Sequence, residues 1–227
     1  MSGPLRLILF DVDGTLVDSQ NAIVRAMALS FEALGLTAPK RADIVAIIGL
    51  SLEIAVVRLV PGLTAPLYED LVGGYKSAFT GLRAENGAAQ SPPIFANARA
   101  VLHSVWGRPQ VLLGVATGKS RRGLDDVLNA HKLSDYFVTV QCADDHPSKS
   151  HPAMTRAALA ETGAAERNAV MIGDTQFDME MSAAAGLHAI AVTWVYHGVD
   201  RLMAADHIAN DFSQIPDILD TLWQEAA

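Results

Sequence analysis

Two aspartates one residue apart, Asp11 and Asp13, close the apolar run Leu7-Ile8-Leu9-Phe10, and Gly14-Thr15 follow at once. An ionised aspartate can attack phosphorus and form an aspartyl-phosphate, splitting one hard displacement into two easier ones. A second carboxylic acid nearby can protonate a leaving alcohol and later deprotonate water. Such a pair also suits Mg²⁺, which takes carboxylate oxygens and keeps several waters, so two aspartates and one carbonyl suffice as protein ligands. Taken alone, Asp-x-Asp-Gly-Thr also reads as a strand end with an Asx turn. What decides is whether the chain brings partners to the same place.

Three further stretches carry suitable partners. Thr117-Gly118-Lys119-Ser120 follows an apolar run, Lys149 sits between a predicted strand and helix, and Gly173-Asp174 precedes Asp178 by a helical turn. Singly, each has an ordinary reading: a helix cap, a solvated lysine, a strand-to-helix turn, and a first-turn acid facing the helix dipole. Together they supply a hydroxyl, backbone N–H groups and a lysine, which can hold the three oxygens of a phosphoryl group. Gly114-Val-Ala-Thr-Gly-Lys-Ser120 imitates a nucleotide-binding phosphate loop. That loop needs four residues between its glycines and here there are three, so it is rejected. The seven histidines show no metal-binding spacing, and His146 and His151 read as loop surface.

The elements that must position these residues follow from periodicity. Leu5 to Phe10 suits a strand buried on both faces, and continued extension past it would point Asp11 and Asp13 the same way. Asp18 or Ser19 can cap a helix carrying Ile23, Met27, Phe31 and Leu34, with Gly35 as its stop. A second helix is predicted from Leu52 to Val60. A third starts near Pro66 and bears the stripe Leu67, Leu71, Tyr75 and Phe79. These stripes read as the core of a small helical bundle. Glu85 to Pro93 is loop material. Thereafter helix and strand alternate. Helices are predicted over Phe95–Trp106, Ser120–Ala130, Pro152–Thr162, Met179–Ala185 and Ile215–Trp223. Strands are predicted over Val111–Ala116, Tyr136–Val140, Ala169–Ile172 and His188–Thr193. Such alternation means an α/β fold with a parallel sheet between helices. The strand ends at Asp11, Thr117 and Asp174 then converge on one edge, where open α/β sheets bind ligands. The expected organisation is a core of residues 1–18 and 85–227 with a helical insert over 19–84.

The 227 residues, half of them hydrophobic, allow one large domain or a core with an insert. A formal charge of −8 disfavours sequence-independent nucleic-acid binding but not a small anion held in a local pocket. The lone Cys142 leaves no internal disulfide and fits a reducing compartment. No targeting segment is visible, and Ile44 to Val60 is broken by Gly49, Ser51, Glu53 and Arg58, so no membrane span is expected. A cytoplasmic protein is expected, with no nucleic-acid or membrane partner.

Asp11-Val-Asp-Gly-Thr-Leu-Val-Asp-Ser19, Ala116-Thr-Gly-Lys119, Lys149 and Gly173-Asp-Thr-Gln-Phe-Asp178 together resemble the haloacid dehalogenase superfamily. Within it, the chain is similar to the helical-cap phosphatases of the phosphoglycolate phosphatase kind. The resemblance covers nearly the whole chain. It implies a Rossmann-like core with a cap inserted after the first motif, Asp11 as nucleophile and Asp13 as general acid/base. It implies that Thr117, Gly118 and Lys149 bind the phosphoryl group. Mg²⁺ would be held by Asp11, the Asp13 carbonyl and Asp174, with Asp178 orienting Lys149 or a metal-bound water. The substrate would be a small phosphorylated metabolite, and the enzyme a monomer or homodimer. Two features bear on this. Lys149-Ser150-His151-Pro152 stands where the family commonly has Lys-Pro-x-Pro. Dehalogenases lack the second aspartate of the first motif, so Asp13 points to phosphate chemistry. A phosphosugar mutase of the same fold is the alternative. Arg25, Arg58 and Lys76 in the cap, and Ser120, Arg121 and Arg122 after the second motif, are open candidates for substrate contacts.

Overall fold

The structure, a computed structural model, describes residues 3–85, 91–194 and 198–225. Part of the loop expected over Glu85–Pro93 therefore lies outside the described residues. Six strands form one parallel sheet: β1 (Arg6–Phe10), β2 (Val111–Thr117), β3 (Phe137–Cys142), β4 (Ala169–Gly173), β5 (His188–Val192) and β6 (His207–Ala209), in the order β3-β2-β1-β4-β5-β6. The short edge strand β6 is not evident from periodicity. Nine α-helices are described: α1 (Gln20–Ala33), α2 (Arg41–Val45), α3 (Leu52–Leu59), α4 (Ala65–Glu85), α5 (Ala98–Trp106), α6 (Arg121–Ala130), α7 (Ala153–Thr162), α8 (Gln176–Ala185) and α9 (Ile215–Glu225).

The apolar run from Leu7 to Phe10 of β1 has a direct cause. Ile8 and Phe10 pack on one side with α5, α6 and α9, through Leu102, Leu124, Leu128, Leu219 and Trp223. Leu7 and Leu9 pack on the other side with α7 and α8, through Met154, Ala158 and Met181. Both faces of the strand are covered, so neither alternate set can be polar. Arg6, the one charge in the run, lies at the strand start with its guanidinium 4.4 Å from the centre of the Trp223 ring.

Between β1 and β2 the chain leaves the sheet to build a helical cap. Ile23, Met27 and Phe31 of α1, Ile44 of α2, Val56 of α3 and Leu71 of α4 form its separate apolar cluster. Leu34, expected on the same stripe, is instead exposed beyond the end of α1. The helix stops there because Gly35 adopts φ 66°, a left-handed turn that carries no side-chain penalty only for glycine. The fold is thus a Rossmann-like parallel α/β core with an inserted helical cap.

The cap meets the core at the carboxyl edge of the sheet. Leu50 and Ala55 of the cap pack against Phe177 of α8. The Ser51 N–H donates to Ser148 Oγ at 2.9 Å. Arg58, which sequence left as a possible site residue, lies 5.5 Å from the Phe177 ring centre and serves this joint.

Candidate active site

The backbone of the first motif does not continue as a strand. Asp11 N–H still bonds the Ile172 carbonyl at 3.0 Å, but the Val12 carbonyl then accepts from Thr15, Leu16 and Val17. Gly14 takes φ 88° within this tight loop. The expectation that Asp11 and Asp13 share one strand face is therefore corrected. They are presented by a loop and have separate partners.

Asp11, 1 % exposed, has Oδ1 2.8 Å from Lys149 Nζ. That approach is an ion pair without hydrogen-bond alignment, and Asp11 Oδ2 has no partner. Burial lifts the Asp11 carboxyl to about 6, against the pull of the Lys149 ammonium and with a further push from the Asp178 and Asp13 carboxylates. Lys149 also bonds Asp178 Oδ1 at 2.6 Å. Burial alone would lower its basicity, yet the Asp11 and Asp178 carboxylates hold it above its ordinary value, so it stays charged.

Asp178 is fixed from its other side by α8. Its Oδ2 accepts from the Thr175 hydroxyl at 2.6 Å and the Thr175 N–H at 3.1 Å, while its own N–H reaches Thr175 Oγ1 at 3.4 Å. This is a capping box, and it starts α8 at Gln176, three residues before the periodicity suggests. Gly173 makes the arrangement possible. A Cβ there would stand 2.4 Å from Asp178 Cγ, so no larger residue fits behind that carboxylate.

Asp174 Oδ1 accepts from the Thr15 hydroxyl at 2.9 Å, and its Oδ2 has no partner. Burial first, then the Asp11 and Asp178 carboxylates, push its carboxyl well above the ordinary range. Asp13 Oδ1 accepts from Ser19 Oγ at 2.6 Å and its Oδ2 pairs with Lys119 Nζ at 2.8 Å. Ser19, expected as a helix cap, occupies that position but makes no capping bond, its hydroxyl serving Asp13 instead.

The carboxylates of Asp11, Asp174 and Asp178 have oxygens within 4.8 Å of one another. Asp178 has both oxygens engaged, whereas Asp11 and Asp174 each keep a buried oxygen without a donor. With all four site aspartates ionised, two lysines leave two negative charges uncompensated. Buried orphan oxygens and uncompensated charge both fit a divalent, oxygen-seeking cation at Asp11 and Asp174.

Asp11, Asp13, Thr117 and Gly118 line one cavity of about 600 Å³ between core and cap. The cap supplies Ile23, Met27, Leu50, Tyr75 and Phe79 to its wall. Gly118 lies so close to the cap turn that a Cβ would stand 2.3 Å from the Gly49 carbonyl oxygen. Lys149, Asp174 and Asp178 lie outside that lining, held through Asp11 and Thr15. Of the open candidates, Lys76, Ser120 and Arg122 line the cavity. Arg25 is exposed on α1, and Arg121 turns to Asp145 at 2.7 Å. His146 bonds Gln141 and the His151 ring accepts from the Ala153 N–H, in keeping with loop roles.

Thr15, Ser19, Thr175 and Lys119 have positions here that residue type and spacing do not predict. Each lies inside a motif, and its signal was there, but the partner is 6 to 159 residues away or lies across a turn.

The chain is similar to known proteins over nearly its whole length. A 35 % identical relative from Dickeya dadantii (strain 3937), named "Probable phosphatase IndB", aligns over 92 % of this chain and 91 % of its own length. A Nitrosococcus oceani phosphoglycolate phosphatase is 30 % identical over 94 % of this chain and 96 % of its own. Among solved structures, a protein from Haemophilus somnus 129pt, titled a predicted phosphoglycolate phosphatase, superposes with a TM-score of 0.82 at 21 % identity, covering 94 % of this chain and 97 % of that one. The haloacid dehalogenase-like hydrolase family matches residues 8–192, a span that reaches from β1 to β5 and takes in every motif residue named above. This chain belongs to the haloacid dehalogenase-like hydrolase family.

Proposed function

We propose that this protein is a Mg²⁺-dependent phosphatase that hydrolyses a small phosphomonoester of the phosphoglycolate kind through an aspartyl-phosphate. The observation that carries the reading is the divided pair of aspartates. Asp11 is buried beside Lys149 with one oxygen free of donors, and Asp13 faces the cavity with its own cation and hydroxyl. Two carboxyls in different surroundings can take different roles, one as nucleophile and one as proton carrier.

Asp11 attacks phosphorus with its donor-free oxygen while Lys149 holds the other and neutralises charge on the phosphoryl oxygens. Thr117 and the Gly118 N–H complete the phosphoryl cradle. Asp13 protonates the departing alkoxide, then takes a proton from the water that releases phosphate from Asp11. Ser19 fixes the carboxyl for both steps. Asp178 keeps Lys149 charged and aimed. Asp11, Asp174 and the Asp13 carbonyl would hold Mg²⁺, which, when bound, lowers the repulsion between an anionic nucleophile and an anionic phosphate. We assign residues 19–84 as the cap and the rest as the core, with the cap covering the leaving group.

The names of the relatives favour hydrolysis over mutase chemistry, and so does the cap turn. Leu50, Ser51 and Leu52 bring no cation to a second phosphate, and Glu53 is already paired with Lys76 at 3.4 Å.

The test is release of inorganic phosphate from a panel of phosphomonoesters with Mg²⁺. Asp11→Asn is expected to lower turnover at least about a thousandfold, some 4 kcal/mol of barrier, while the protein stays folded. A variant keeping a tenth of wild-type turnover, or full wild-type activity in excess chelator, would overturn the reading.

A further inference from the structure

The residues above serve the phosphoryl group and its proton, and none of them recognises the leaving alcohol. On the cavity wall next to Asp13 stands Lys119, with a side chain only 9 % exposed. Its ammonium is 2.8 Å from Asp13 Oδ2 and 5.3 Å from the centre of the Phe79 ring of the cap. The other cations of the lining are solvated. Lys76 is about half exposed and bound to Glu53, and Arg122 is exposed. Lys149 is taken by two carboxylates on the far side of Asp11.

Position decides what Lys119 can read. Asp13 must touch the ester oxygen to protonate it, so an ammonium in contact with Asp13 lies beside the atoms one or two bonds further along the alcohol. An ammonium has three donors, and Asp13 uses one. Out of water, a charge-assisted hydrogen bond to a carboxylate is about twice as strong as a neutral one. The rest of the wall does not invite an anion: Ile23, Met27 and Leu50 are apolar, and Glu53 and Asp144 carry negative charge. An anionic group is therefore welcome next to the ester carbon and unwelcome further out.

We propose that Lys119 is the specificity residue of this enzyme, and that it binds a carboxylate on the carbon next to the phosphoester of the substrate. The inference rests on the phosphatase reading and deepens it. It selects 2-phosphoglycolate-like esters over neutral alkyl phosphates of the same size.

The test compares 2-phosphoglycolate with 2-hydroxyethyl phosphate, both alkyl esters of like size that need the same proton from Asp13. Wild-type enzyme with Mg²⁺ should prefer 2-phosphoglycolate. Lys119→Met should lower kcat/KM for 2-phosphoglycolate about thirtyfold more than for 2-hydroxyethyl phosphate, the range expected for one buried charge-assisted contact. Lys119→Arg, which keeps the charge, should retain part of the preference. A binding readout runs in parallel: 2-phosphoglycolate should raise the Tm of Asp11→Asn and fail to raise that of Asp11→Asn/Lys119→Met. Equal losses on the two esters would show that Lys119 serves only Asp13 and would overturn the proposal. So would a wild type that hydrolyses other phosphomonoesters but shows no preference for the carboxylate, in which case the phosphatase reading stands. Release of phosphate from no ester at all would take both down.

Discussion

Asp11 ties stability to pH and, on the proposed function, to metal. Its carboxyl sits at about 6 in the folded protein against an ordinary 3.8, because burial disfavours its charge. The native state therefore binds this proton more tightly than the unfolded chain. The stabilisation that follows is complete below about pH 4 and is lost as pH rises through 6. Asp174 is shifted in the same direction and adds to the loss. Above pH 6 the metal-free protein carries a buried charge at Asp11 costing up to roughly 3 kcal/mol. In chelator, the Tm of the wild type should fall between pH 5 and pH 8, and that of Asp11→Asn should fall less. Adding Mg²⁺ at pH 8 should raise the wild-type Tm and leave Asp11→Asn nearly unmoved. A wild-type Tm indifferent to Mg²⁺ would remove the cation from this site.

At the scale of the element, α8 shows how a local helix signal is recruited for chemistry. Thr175 and Asp178 close a capping box, and the same Asp178 holds Lys149. Helix start and lysine orientation thus share the Thr175 hydroxyl. Thr175→Ala should cost about 1–2 kcal/mol in urea denaturation, the usual value of a lost cap. It should also lower kcat by more than that stability loss explains, because Asp178 then loses the shorter of its two bonds from Thr175 and holds Lys149 less firmly. Thr175→Ser, which keeps the hydroxyl, should restore both quantities. Loss of stability with unchanged kcat would separate the cap from the site. Ser19 shows the opposite case, a residue at a helix start whose hydroxyl donates to Asp13 and makes no capping bond.

For the molecule as a whole, the decisive contact is between cap and core. Gly49 and Gly118 meet backbone to backbone, and Gly49 at φ 102° presses on the Thr175 side chain, with a Cβ position 3.0 Å from its hydroxyl. Leu50, Ala55 and Phe177 pack together at the same joint. Gly118→Ala would place a methyl 2.3 Å from the Gly49 carbonyl oxygen, so the cap must stand off. We expect KM to rise at least tenfold, about 1.4 kcal/mol, and small-angle scattering to show a larger radius of gyration. The Tm should change little, since the core and cap clusters are each intact. An unchanged KM would mean that the enzyme works with the cap open.

Much of this protein is decided locally and so was legible in the chain. The run at Leu7 to Phe10 suits a strand covered on both faces, and the alternation from Val111 onward reads as a parallel sheet with helices around it. Asp11, Thr117 and Asp174 lie where such a sheet presents them, because strand ends are set by where apolar runs stop. The cap's helical stripes are legible for the same reason. What periodicity could not carry was partnership. The loop at Val12 to Val17 ends the strand before Asp13 and gives Asp13 partners of its own, since hydrogen bonds to one carbonyl override the alternation of a strand, yet both aspartates still line one cavity. The Lys119–Asp13 pair, the Thr15–Asp174 bond and the approach of Gly118 to Gly49 join segments that only chain folding brings together. Side-chain type and spacing say which groups are available. Burial and distance, which belong to the tertiary structure, determine which oxygens lack donors, which lysine is already occupied and which one lines the cavity.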